Sequence, residues 1–402
     1  MIVLLQADDA RQKLMDAVLA GKVSHERVVV DAKRYQPFIH QILLSCKVQP
    51  EVARLDGTSY TSQEIVSLCG HLFSFHLIIF LLFLDRLVFE WMSGIEQDQK
   101  FYKSEAIMYD LVMCVICEGL GKAGAATEAS VAGEFGVANR EYAAAAGIFQ
   151  FLAEDHLPKW TARGSHTDDT QLPIECNAAT ADGLRILFQA NGQQMAVATV
   201  LIKPGTPNYS LVAKLCLGTV EMLEEFVKHM RDNAFRMMAR MDKDFFTLVT
   251  FQITLQKALS LYFYGRALWE KAEYGLAIAF LSEAGVALQT RVSIASVGVP
   301  DVSKIPSLKA LTADLTDLRA HMALVLKVWE KDNSHVFFEK VPQSVPQDKK
   351  LEKGVRIGKV EKFKISSVDP VLLALPENLS EQSDSDFAKE LQDRLNSGLE
   401  EF

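Results

Sequence analysis

The stretch Leu261–Leu288, LYFYGRALWEKAEYGLAIAFLSEAGVAL, constrains the fold more than any other part of the chain. Ala277, Leu281, Ala284 and Leu288 recur at steps of four, three and four, the spacing that lines one face of an α-helix. Gly265, Ala267, Gly275 and Ala277 are small and flank a turn at Lys271–Gly275, so two helices can approach closely there. Tyr264 and Tyr274 are placed to pack across the hinge. This is the pattern of a tetratricopeptide-like helical hairpin. Such a hairpin cannot bury its apolar face alone, so it requires helical neighbours.

The rest of the chain supplies them. Residues 1–56 read as helical, with Phe38, Ile42, Leu43 and Cys46 at core spacing and a short strand at Arg27–Val30. Tyr102–Gly119 and the alanine-rich Arg140–Trp160, closed by Pro158, read as helices joined by a loop of small residues. After a polar linker at 161–180 come helices at Leu184–Leu201 and Leu211–Met241, separated by Pro204, Gly205 and Pro207. A loop at Val297–Pro306 and a helix at Leu308–Trp329 follow. Strand and helix nowhere alternate, so a parallel sheet is excluded. The expected class is all-α, with a small strand element near the N-terminus.

Residues 57–85 stand apart. Leu68–Leu84 is almost wholly apolar, broken by Gly70, His71, Ser74 and His76. It reads as a buried core helix, as a membrane segment at the short limit of about 17 residues, or as a non-native insert foreign to the working fold.

Charge narrows the function. Across 402 residues, 42 Lys and Arg stand against 51 Asp and Glu, a net charge of −9. A globally acidic chain is a poor general binder of nucleic acid. Six scattered cysteines suit reduced thiols in the cytoplasm rather than a disulfide framework. The opening MIVLLQADDARQK is too short in apolar residues for a signal-peptide core. From Lys331 to Lys364 the chain reads as an extended segment wrapping over the helices, and within it residues 340–364 carry seven Lys and one Arg against three acids. Residues 365–402 carry nine acids and two bases and read as a disordered tail, apart from a helical pattern at Asp386–Leu395.

The motifs give little chemistry. Gly119–Gly124, GLGKAG, matches the dinucleotide fingerprint, but no strand–helix–strand unit surrounds it. A loop of small residues between helices is the competing reading. Cys114 and Cys117 lack a second pair at zinc-ligand distance and read as core cysteines. The histidines, including His156, His229 and His321, show no ligand pairing. Glu224 and Glu225 read as a solvated helix face. No nucleophile elbow or phosphate loop is present. We therefore expect no catalytic residues, no metal, no cofactor and no small-molecule substrate.

Five stretches nevertheless occur in a telling order: FEWMSGI (89–95), SEAIMYDLVMCVICEG (104–119), REYAAAAGIFQFLAED (140–155), YFYGRALWEKAEYGLAIAFLSEA (262–284) and KDNSHVFFEKVP (331–342). With the glycine–lysine stretch Val355–Lys359, this ordered set resembles the Bro-type domain family of Alix and yeast Bro-one, in its short single-domain form. The likeness covers 89–364, and 1–56 more weakly. It implies one boomerang-shaped helical solenoid over 1–364, with 57–85 as an atypical insert. It also implies a non-enzymatic adaptor, cytoplasmic and recruited to endosomes and multivesicular bodies. The implied partner is the C-terminal amphipathic helix of the core ESCRT-III filament subunit, docked in a groove between solenoid helices. The family's groove positions fall at Ala196 or Val197, and at Leu211 and Leu215. Better-known members carry a large aromatic where Ala196 or Val197 stands, so a shallower pocket is implied. The sequence has no prenylation cysteine, so contact with an acidic membrane would fall to partners or to the lysines of 340–364. Two other readings remain: a tetratricopeptide-like scaffold for another protein, and a nucleotide-dependent enzyme using Gly119–Gly124.

Overall fold

The computed structural model describes residues 2–20, 23–48, 89–104, 106–161, 171–288 and 309–371. Helices α1 (Ile2–Leu19) and α2 (His25–Val48) come first. Ala7, Ala10 and Leu14 on α1, and Ala32, Tyr35, Ile39 and Leu43 on α2, are buried. Both sets step by three or four, so each helix buries one stripe. Phe38 and Ile42 pack half-buried against the same core; the Cys46 side chain lies outside the described residues. The strand predicted at Arg27–Val30 is instead the first turn of α2. Three consecutive valines favour a strand locally, but Val29 extends the buried helical stripe, and packing overrides that preference.

The small sheet lies later in the chain. β1 (Phe89–Met92) pairs antiparallel with β2 (Phe101–Ser104), and Trp91 faces Tyr102. The helix predicted from Tyr102 therefore starts only at Ile107, as α3 (Ile107–Val131). It then continues straight through Gly119–Gly124, so the predicted loop is absent. The next helix, α4, spans Phe135–Phe151. A Cβ on Gly119 would stand 2.7 Å from the Phe149 ring on α4, and one on Gly121 would stand 3.0 Å from Val29 on α2. A mid-helix glycine costs about 1 kcal/mol relative to alanine; the closer helix packing offsets it.

A π-turn, Leu152–His156, carries α4 into α5 (Leu157–Thr161). Pro158 therefore does not end the helical path. It sits at the second position of α5, directly after the wider π-turn. A 3₁₀ turn at Ile174–Cys176 leads into α6 (Ala178–Ile202), and α7 (Tyr209–Asn233) follows. The predicted helix Leu211–Met241 breaks at Ala234, and Phe235–Met238 forms the separate short α8. Side chains cap the long helices. Asn177 accepts from the Ala179 and Thr180 amides, Asn208 from Leu211, and Asp242 from Asp244 at the start of α9 (Lys243–Glu270).

The hairpin is α9 and α10 (Tyr274–Leu288). Ala277, Leu281, Ala284 and Leu288 are all buried. Ala272 takes a left-handed φ of 61° in the turn. Tyr264 packs on Phe280 with ring centroids 4.9 Å apart, and Tyr274 on Trp269 at 4.8 Å, so both tyrosines cross the hinge to other rings. The last helix, α11 (Lys309–Asp332), lays Trp329 flat on Trp269, with centroids 4.4 Å apart. Trp329→Ala is expected to cost about 3–5 kcal/mol, read as a shift in the urea unfolding midpoint.

Successive long helices pack on one another in chain order, with α4 reaching α6 and α7 reaching α9 across the short elements. Two cores result, and α7 belongs to both. Its first half gives Val212 and Leu215 to the core with α9, α10 and α11; its second half gives Leu223, Phe226 and Met230 to the core of the earlier helices.

From Phe338 the chain crosses back over this stack as an extended strap; the sequence places its start at Lys331, but helix α11 and a π-turn at Asn333–Phe337 come first, and the strap runs on to Val371, past the boundary predicted at 364. Asn333 starts it: its side chain donates to Glu339 O (2.9 Å) and accepts from the Glu339 amide (3.0 Å). The strap then bonds helix by helix. The Gly275 amide of α10 donates to the Glu339 carboxylate, Val355 N to Lys214 O of α7, and Glu361 N to Ala143 O of α4. Ser45 Oγ of α2 finally accepts from Val371 N at 2.8 Å. The strap passes close because glycines face it. A Cβ on Gly218 or Gly147 would overlap the carbonyl oxygen of Val355 or Glu361. The apolar stretch 57–85, the loop 297–306 and residues 372–402 lie outside the described residues. No described helix is long and apolar enough to cross a membrane.

Candidate partner-binding site

α6 and α7 run antiparallel, joined by residues 203–208. Gln193 of α6, fully buried, donates to Leu215 O of α7 at 2.7 Å. One turn nearer the connection, this register sets Val197 opposite Leu211. The four groove residues differ in depth. Val197 and Leu215 are buried in the second core, Ala196 is half-buried, and Leu211 is 43% exposed. Leu211 and Leu215 share a helix face, yet only Leu211 presents an accessible side chain. Leu201 and Ile202, at the end of α6, add exposed aliphatic surface. The sequence reading missed both, because the Pro204–Pro207 break drew attention to the turn and not to the surface beside it.

Side-chain contacts tie the start of α7 to α9. Tyr209 stacks on Phe263 of α9, and Arg266 donates to the Tyr209 hydroxyl (3.1 Å) and the Tyr262 hydroxyl (3.3 Å). Ser260 Oγ donates to Ala213 O at 2.9 Å. An apolar edge on a fixed base can receive the apolar stripe of a partner helix. A separate cavity of about 320 Å³ lies under the strap, lined by Leu43, Met108, Leu111, Phe151 and Ile365. It is built from α2, α3, α4 and the strap, not from the groove residues.

The motifs weighed for chemistry are structural. Gly119–Gly124 is helical throughout, so its amides are spent within α3 and no phosphate-cradling loop exists there. This overturns the nucleotide-dependent reading. Cys114 is buried, with its thiol on Ala32 O; burial pushes it well up, and pushes Cys117 up to about 12. Such thiols stay protonated and inert. Among the described residues no cluster of His, Cys, Asp and Glu could hold a metal.

Buried carboxylates are the features that sequence reasoning passed over. Asp110 accepts from Trp91 Nε1 (2.7 Å), the Tyr35 hydroxyl and Arg11 Nε (3.4 Å). Glu96 holds Arg240 at 2.7 Å and the Tyr102 hydroxyl at 2.6 Å. Glu175 accepts from Ser93 Oγ and Gly94 N, both at 2.8 Å, and burial pushes its carboxyl up. A raised carboxyl adds stability below the unfolded value of about 4.3 and loses it as pH rises through the folded value. Glu175→Gln, which mimics the neutral form, is therefore expected to gain stability on the parent between pH 4 and pH 7. Paired urea melts at both pH values check this.

Comparison with known proteins identifies the family and the fold. A family model described as the BRO1-like domain matches residues 85–391. The chain belongs to the BRO1-like domain family. The vacuolar protein-sorting protein bro1 of Schizosaccharomyces pombe is 24% identical over 274 residues, 65% of this BRO1-like chain and 32% of that protein. The chain thus spans about a third of that relative's length. A Bro1 domain solved for endosomal targeting superposes with a TM-score of 0.59 at 17% identity, covering 88% of this chain and 82% of that one. The BRO1 domain of ALIX in complex with CHMP4C gives 0.58 at 16%, covering 94% and 87%. ALIX in complex with the SIVmac239 PYKEVTEDL late domain gives 0.62 at 15%, covering 98% and 49%. These likenesses establish the fold, an all-α boomerang-shaped solenoid, with one two-stranded sheet among the described residues. α1 and α2 precede the matched span, yet pack into the same core as α3.

Proposed function

We propose that this BRO1-like chain is a non-enzymatic adaptor of endosomal sorting. It acts from the cytoplasm and receives the amphipathic C-terminal helix of the core ESCRT-III filament subunit at the mouth between α6 and α7. The observation that carries this reading is the exposed aliphatic edge of Leu211, Leu201 and Ile202 over the fixed base of Tyr209 and Arg266. The vacuolar-sorting relative and the ALIX–CHMP4C complex support the pathway and the partner class. Val197 and Ala196 form the inner wall, and Leu215 acts from beneath as packing. With no large aromatic on that wall, the helix makes a shallow contact centred on Leu211.

The test separates binding from folding. Leu211→Asp leaves the unfolding midpoint nearly unchanged and weakens binding of a labelled ESCRT-III C-terminal helix peptide by about 10-fold or more, because an exposed anchor is lost. Leu215→Asp buries an unpaired charge and destabilises the chain itself, so it cannot report on binding. A peptide that binds neither parent nor variant overturns the reading and favours a tetratricopeptide-like scaffold for another partner.

The strap adds a second contact. Lys349, Lys353, Lys359 and Lys362 are exposed, whereas Lys350 pairs with Glu283 and Arg356 with Glu221 and Glu225. The exposed lysines would meet an acidic membrane surface weakly, at about 1 kcal/mol each. Co-sedimentation with phosphatidylserine vesicles that is lost at about 0.5 M salt is the expected result.

A further inference from the structure

The cavity under the strap is lined by groups that the α6–α7 mouth does not use. It holds about 320 Å³ between α2, α3, the end of α4 and the strap. Leu43, Met108, Leu111 and Ile365 make its walls apolar. A cavity of about 300–1,000 Å³ with an apolar lining and a few convergent polar groups is the usual form of a small-ligand site.

The polar lining groups are His40, His156 and Lys364, and all three can carry positive charge. No acidic side chain is among the described lining residues. His40 donates from Nδ1 to Ser366 O at 3.0 Å, which holds the imidazole at the strap, two residues from Lys364. Lys364 is exposed at the rim and makes no ion pair with the described residues. His156 stacks on Phe151 with ring centroids 5.6 Å apart, and Phe151 meets Phe363 of the strap at 5.4 Å. An apolar interior thus opens at a basic edge.

Size and charge select the ligand. An apolar cavity of about 150 Å³ takes up benzene, so one of about twice that volume holds a chain of about ten carbons. Ammonium and imidazolium groups bind a carboxylate through charge-assisted hydrogen bonds. We propose that this cavity binds a single-chain carboxylate of about ten carbons, with its chain among Leu43, Met108 and Leu111 and its carboxylate at Lys364 and His40. The ligand touches the helices and the strap together, so it binds only while the strap is closed. By mass action it suppresses strap opening by the factor 1 + [L]/Kd.

The test titrates the intact chain with decanoate, and with decanol as the neutral match, by isothermal calorimetry. Decanoate should bind at one site with a Kd of about 1 mM or tighter, the efficiency of an ordinary ligand of about 12 heavy atoms. Lys364→Glu, a change at an exposed residue, should weaken decanoate about 3-fold or more, the scale of one part-exposed ion pair, and leave decanol unaffected. Leu44→Trp, which puts an indole into the cavity from α2, should abolish binding of both. Hydrogen exchange supplies a readout that needs no variant, and it decides even where Leu44→Trp does not fold. With decanoate at ten times its Kd, the Val371 amide, bonded to Ser45 Oγ, should exchange about 10-fold more slowly. No heat and no slowing at Val371 at ten times the expected Kd overturn the proposal. Decanoate bound equally by the parent and by a folded Leu44→Trp variant lies elsewhere, which also overturns it. Equal affinity for decanol and decanoate, with Lys364→Glu silent, overturns the carboxylate as the ligand class.

Discussion

Asp110→Ala is expected to lower the unfolding free energy by about 3–5 kcal/mol, the range for breaking a buried charge pair by removing one partner. Asp110 is fully buried and accepts from three elements: Arg11 on α1, Tyr35 on α2 and Trp91 on β1. Removing the carboxylate leaves the buried Trp91 and Tyr35 donors without this acceptor and strands the Arg11 guanidinium nearby. Each loss carries a desolvation penalty of about 1–3 kcal/mol. Asp110→Asn keeps one acceptor oxygen, so it should cost less than half as much. Urea denaturation followed by circular dichroism reads both. Tryptophan fluorescence should shift in the alanine variant, because Trp91 loses its partner. A loss under about 1 kcal/mol for Asp110→Ala would show that these elements are held by packing alone.

Gly147→Ala should destabilise the chain by about 2–4 kcal/mol, in the range for overpacking a close contact. Helix propensity alone predicts the opposite, a gain of about 1 kcal/mol. The reversal comes from the strap. A Cβ at Gly147 would occupy the place of the Glu361 carbonyl oxygen, and Glu361 N donates to Ala143 O one turn away. Gly136→Ala on the same helix is the control, since nothing among the described residues lies within 4 Å of its added methyl. It should be neutral or slightly stabilising. Hydrogen exchange gives an independent measure: the amides of Val355 and Glu361 should lose protection in the Gly147 variant and keep it in the Gly136 variant.

Much of the fold is legible in the sequence, because a helix that buries one stripe writes it at steps of three and four. Ala277, Leu281, Ala284 and Leu288 did so plainly, and all four are buried. Gly119–Gly124 was misread because small residues allow either a loop or a close helix crossing, and the partners that decide, Val29 and Phe149, are remote in sequence. Arg27–Val30 was misread because β-branched propensity is local while the packing against α1 and α3 is not. The candidate site was half legible. An i, i+4 leucine pair names a helix face but not its depth, so Leu211 and Leu215 look alike until α6 covers one of them. The carboxylate hub could have been suspected, since Asp110 and Glu118 interrupt an otherwise apolar helix and such charges require partners. Its donors, Arg11, Tyr35 and Trp91, follow no spacing rule.

The bond from Val371 to Ser45 closes a loop of 326 residues. Contacts of such separation form late, because loop closure must precede the contact that rewards it. During synthesis at about 5–20 residues per second, roughly 16–65 s pass between the emergence of Ser45 and that of Val371. For that interval α2 is already made, but its final tie is not. The helical stack is thus assembled in order from the N-terminus, while its seal depends on nearly the last described residues to leave the ribosome. A nascent or truncated chain ending before residue 338 would hold every described α-helix and lack the strap that binds them. It would be correspondingly open to proteolysis.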